Sequence, residues 1–121
     1  MKEMQRNEFL AAIESFLVKI GFDINLKGFA YLREGIAMVF ENPSLINSFT
    51  KDVYPLIAKK FSITAGTVQK AIAREVKEHW NEMMIEKLND IRGNALYASN
   101  AKVPSNVELI VVIVDMFYKK K

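Results

Sequence analysis

The chain has 121 residues, half of them hydrophobic and 26% charged, with a net charge of +3 and no cysteine. This composition fits one globular domain over 1–121 and excludes a disordered chain, a disulfide framework and a thiolate metal site. A reducing cytoplasm is the default location for a chain without cysteine. The longest apolar run, Leu109 to Val114, falls far short of the roughly 20 residues of a membrane span. The N-terminal MKEMQRNEFL is polar and acidic, unlike a signal peptide.

In chain order, Phe9, Ala12, Ile13, Phe16, Leu17 and Ile20 make one apolar stripe, predicting a helix over 6–20 that Gly21 ends. A second helix is predicted over 26–40, with Phe29, Leu32, Ile36, Val39 and Phe40 inward. Asn42-Pro43 breaks it, and a short helical turn follows from Pro43 to Asn47. Thr50 suits the N-cap of a helix over 50–60, with Pro55 near its first turn. Thr64 can cap the next helix, 64–80. A shorter helix over 82–92 uses Met83, Met84, Leu88 and Ile91, and Gly93 stops it.

Residues 94–104 read as an irregular loop. Ser105 and Glu108 then form a capping box before ELIVVIVDMFY. That run is β-branched enough to suggest a strand. The capping box and the helical spacing of Val107, Ile110, Val111, Val114, Phe117 and Tyr118 favour helix, and a lone strand would leave its edges unpaired. The expected fold is all-α, with about six helices.

Catalytic chemistry finds little support. His79 is the single histidine, which gives no triad and no zinc site, so a structural role is expected of it. The glycines do not cluster into a phosphate-cradling loop. We expect no enzyme, no metal, no cofactor and no small-molecule substrate.

The charge is unevenly spread. Residues 50–80 hold six basic groups and three acids, while 1–49 hold five and six and 81–121 hold six and five. The excess therefore lies in one stretch, which suits a polyanion, although charge alone fits a solvated face at least as well. The same stretch has a second property. Its two helices are separated only by Phe61-Ser62-Ile63, the short turn of a helix-turn-helix. Ala58 is small enough to let the two axes approach, and Ile57, Phe61, Ile63, Val68 and Ile72 can close a core between them. The glycine common in such turns is replaced by Ser62.

Projected at about 100° per residue, Ala65, Val68, Ile72, Val76 and Trp80 share the inward face of 64–80. Thr67, Lys70, Arg74 and Lys77 face outward, with Glu75 and Glu78 later and to the side. Together these features favour double-stranded DNA as the partner. Lys70 and Arg74 suit acceptors on base edges, with Thr67 and Gln69 as adaptable donors or acceptors. Gln69 lies toward the inward flank. Lys59, Lys60 and Lys77 are placed for phosphates, and the helix N-terminus at Thr64 offers another phosphate site.

Several blocks also resemble a known family. They are Ile20-Gly21, the KG-x-x-YLRE-x-I-x-MV block from Lys27 to Val39, Thr50-Lys51, and YP-x-IAKKF from Tyr54 to Phe61. Thr64-Ala65, Val68, Ala71-Ile72, Trp80, Ala101-Lys102 and Pro104 continue the pattern. The chain is similar over nearly its whole length to the C-terminal DNA-binding domain of the master sporulation response regulator of endospore-forming bacteria. The resemblance implies a six-helix fold, binding to short promoter sites, often as homodimers, and activation or repression of transcription at the nucleoid. Full-length family members carry a receiver domain, and nothing before Phe9 is expected to hold one.

The chain departs from that family in its recognition helix. Family members carry arginine at Thr67, glutamate at Gln69, arginine at Lys70 and arginine at Ala73. Replacing arginine by lysine removes the bidentate fork that reads guanine. The family's segment after Trp80 helps contact RNA polymerase, but here it reads EMMIEKLNDIRG and matches poorly, so no residue of it is assigned that role. An alternative reading is a helical protein-interaction module that kept the fold, lost specific DNA binding and pairs with a full-length relative. Val107, Ile110, Val111, Val114 and Phe117 would supply its interface, although core is their more ordinary use.

Overall fold

Apolar residues three and four apart close six α-helices in the computed structural model, which describes residues 3–93 and 96–119. They are α1 (Glu3–Ile20), α2 (Lys27–Glu41), α3 (Tyr54–Phe61), α4 (Ala65–His79), α5 (Glu82–Arg92) and α6 (Asn106–Lys119). A 3₁₀ turn over Pro43–Asn47 and a π turn over Phe49–Val53 link α2 to α3. No strand occurs among the described residues. The fold is all-α, and ELIVVIVDMFY is helical as its capping box predicts. Ser105 Oγ accepts from the Glu108 amide at 3.1 Å.

Helix α2 is central. It packs against α1, α4 and α6 and buries Phe29, Tyr31, Leu32, Ile36, Ala37 and Val39. Being covered on nearly every side, it also encloses a charged residue, Glu34, which is 2% exposed. Lys60 donates to Glu34 Oε1 at 2.7 Å, Arg33 pairs with Oε2 at 3.1 Å, and Arg6 lies at 3.8 Å. A buried carboxylate needs such partners, because an unpaired one would be strongly destabilising.

Three local expectations are corrected. Thr50 is exposed and caps nothing. The chain instead enters α3 through the π turn, in which the Ser48 carbonyl accepts from Asp52 and Val53. The wide turn suits Pro55, whose ring would crowd the carbonyl four residues back in a regular helix. On α1, Ala12 is exposed while Ile13, Phe16, Leu17 and Ile20 are buried. On α5, Met83 is 64% exposed and Ile85 takes the inward place beside Met84 and Leu88.

The buried face of α6 is rotated from the expected one. Leu109, Ile110, Ile113, Val114 and Met116 are buried, Val107, Val111 and Phe117 are half-buried, and Tyr118 is exposed. Ile110 and Val114, two of the five side chains that the interaction-module reading would use, therefore belong to the core. The loop expected over 94–104 is irregular from 96 onward, while Asn94 and Ala95 lie outside the described residues.

Candidate nucleic-acid interface

The helix-turn-helix is built by α3 and α4. Ile57, Ala58, Val68 and Ile72 are all at most 5% exposed and meet between the helices. The turn is a Schellman motif, with Ile63 N–H donating to Ala58 O at 3.0 Å and Ser62 N–H to Lys59 O at 3.4 Å. That motif needs a left-handed residue, and Ser62 adopts φ 57°, ψ 46° without being glycine. Thr64 then caps α4 as expected, its Oγ1 accepting from Thr67 N–H at 3.2 Å. This fixes the orientation in which α4 leaves the turn.

Helix α4 buries Val68, Ile72, Glu75 and Val76 and leaves the opposite face open. Thr67, Gln69, Lys70, Ala73, Arg74 and Lys77 are all exposed. Lys70 and Lys77 stand nearly opposite the buried stripe. Thr67 and Arg74 lean to one flank, toward Lys27 on α2, where the three share a groove of about 470 Å³ with Lys70 and Glu78. Gln69 leans to the other flank, and its carbonyl accepts from Asn106 Nδ2 at 3.1 Å.

Four expected site residues already have side-chain partners. Arg74 Nε donates to Glu78 Oε1 at 2.9 Å, and that bond raises the arginine's affinity for its proton. Both groups are largely exposed, so the pair is weak and solvent-screened. Lys60 and Lys59 are both exposed, and Lys60 is turned toward Glu34. The Thr67 hydroxyl lies 2.8 Å from that of Thr64, which keeps it near the helix N-terminus.

Glu75 departs most from expectation. It is 1% exposed, at the edge of the inward face beside Val68, rather than on the open side of the helix. Its Oε2 accepts from the Asp23 amide at 3.2 Å, and Oε1 has no hydrogen-bond partner among the described residues. Burial pushes its carboxyl pKa up, while the Asp23 amide and His79 oppose the shift. His79 Nδ1 lies 2.8 Å from the Glu75 carbonyl and 3.2 Å from Oε2, and its ring meets Phe22 edge-on. The histidine is structural, as the sequence suggests. The helical wheel carried the signal for Glu75, since its position falls only about 20° from that of Val68. The Glu34–Lys60 pair spans two helices and has no local signal.

A family model described as "Sporulation initiation factor Spo0A C terminal" matches residues 13–117. The chain belongs to this family. The match runs from α1 into the last turn of α6 and takes in the whole helix-turn-helix. The family's effector domains serve transcription regulation in sporulation initiation. No helix among the described residues is long and apolar enough to cross a membrane.

Proposed function

We propose that this domain binds double-stranded DNA in a sequence-dependent way by laying α4 in the major groove. The observation that carries this reading is the division of α4. Val68, Ile72 and Val76 anchor one side at 0% exposure, while Lys70, Lys77, Thr67 and Arg74 stand open on the other. A helix is about 10–12 Å across with its side chains and the groove about 12 Å wide, so one helix face can meet base edges.

In this reading Lys70 and Arg74 address base acceptors, with Thr67 and Gln69 as secondary readers. Lys59 and Lys77 meet phosphates, as does the α4 N-terminus at Thr64. Lys60 contributes charge at longer range from its pair with Glu34. Homodimers on DNA and contact with RNA polymerase rest on the family resemblance, as does action in the cytoplasm at the nucleoid.

Selection from a pool of random duplexes tests binding and reads the site together. Enrichment of a short motif, bound with steep salt dependence, is the expected result. A pool that never enriches, together with no salt-dependent mobility shift, defeats the reading and returns attention to a protein partner.

A further inference from the structure

A helix lying in the major groove has a sugar–phosphate backbone on each side. The surface therefore needs a second element to meet the strand beyond each flank of α4. On the Lys27 side the groove contains two carboxylates, Glu75 and Glu78. On the other side runs a trough of about 520 Å³ lined by Thr50, Gln69, Ala73, Lys77, Val103 and Ser105 among others, and no carboxylate lines it.

The far wall of this trough belongs to the irregular segment before α6, which is firmly held. Trp80 Nε1–H donates to Ala101 O at 2.9 Å, and the Trp80 ring meets Tyr97 edge-on at 5.1 Å. Asn89 brackets Tyr97, donating to its carbonyl and accepting from its amide, both at 2.9 Å. Pro104 is buried, yet Lys102 is exposed and Val103 is 46% exposed. The segment is thus fixed from behind and presents Val103 beside the recognition face, with exposed Lys102 preceding it in the chain.

We propose that this trough seats the sugar–phosphate backbone of one DNA strand, which makes Lys102-Val103 a second DNA-contacting element. The inference rests on the DNA-binding reading above. Three features match the occupant. Lys77 in the lining, and exposed Lys102 next to Val103 in the chain, supply positive charge with no carboxylate in the lining to oppose it. Val103 and Ala73 offer apolar surface to deoxyribose C–H groups. The hydroxyls of Thr50 and Ser105 can donate to phosphate oxygens, and Ser105 Oγ already accepts from Glu108 N–H, leaving its own proton to give. Such contacts carry no base information, so they add affinity and fix register.

The chain has no cysteine, so a single introduced thiol can carry an iron–EDTA cleavage probe. Val103→Cys and Gly66→Cys would each be labelled and bound to the best duplex from the random selection. Gly66 is exposed on the first turn of α4, with open space around it, and serves as the control. The expected result is cutting from both sites, with the Val103 probe attacking sugars of one strand beside the positions cut from Gly66. Val103→Glu should weaken binding to all duplexes about tenfold, without changing base preference or the thermal midpoint.

Cutting from Gly66 but not from Val103, or undiminished binding by Val103→Glu, overturns the inference and leaves the DNA-binding reading intact. If the unaltered protein binds no duplex, the DNA-binding reading fails and this inference fails with it.

Discussion

A methyl group on Gly28 would place its carbon 2.4 Å from the carbonyl oxygen of Ala71 and 2.9 Å from Glu75 Cβ. Helices α2 and α4 cross at this point, so the missing side chain sets how deeply the recognition helix sits against the central helix. Gly28→Ala gains helix propensity of about 1 kcal/mol. The clash with backbone outweighs it, and net destabilisation of about 1–3 kcal/mol is expected. Urea unfolding measures this directly. DNA affinity should fall as well, since α4 can relieve the clash only by moving. A variant as stable as the parent would show that the two helices part easily.

The left-handed serine gives a prediction of opposite sign. Ser62 occupies φ 57° in the turn between α3 and α4, a conformation that disfavours side chains. Ser62→Gly should stabilise by about 0.5–1 kcal/mol, the relief of strain less the extra unfolded-state freedom of glycine. Ser62→Val should destabilise, because β-branched residues tolerate that region worst. Matched thermal midpoints for all three proteins would contradict the strain argument.

Much of this scaffold is legible in the sequence, and the reason is local. Helical periodicity, the Pro43 turn, the Thr64 cap and the Ser105 capping box are all written within a few residues of where they act. The failures are of two kinds. Thr50 was outcompeted by the wide turn that Pro55 favours, and Ala12 and Met83 sit at stripe edges where a periodicity cannot say how far the neighbouring helix reaches. Engagement is the other kind. Nothing near Lys60 announces that it turns to Glu34, since the pair joins α3 to α2. Likewise, the hold of Trp80 on Ala101 becomes visible only once the chain has folded. The Arg74–Glu78 pair was legible at i, i+4 spacing, and so was the inward position of Glu75.

The engagement of Lys60 separates three lysines by experiment. Lys70→Ala should weaken binding by about 1–3 kcal/mol and relax the choice of one base pair. Lys59→Ala should weaken all duplexes alike and lower the salt slope by about 1. Lys60→Ala should instead cost about 1 kcal/mol of stability, because Glu34 loses its shortest partner while keeping Arg33 and Arg6. Its salt slope should change less than that of Lys59→Ala. Equal slopes for Lys59→Ala and Lys60→Ala would mean that the Glu34 pair opens on DNA.

Glu75 makes stability depend on pH in a defined direction. Its carboxyl is buried, with one oxygen unpartnered among the described residues, and its folded-state pKa lies above the ordinary glutamate value of 4.5. The folded protein therefore holds this proton more tightly than the unfolded chain does. Stability from this group is present below 4.5 and is lost as pH rises from there through the raised pKa. Glu75→Gln removes the charge but keeps an oxygen to accept from the Asp23 amide. The unfolding free energy of the parent minus that of the variant should fall across that window and level off above it. A difference that stays flat or rises with pH would mean that the Asp23 amide and His79 outweigh burial.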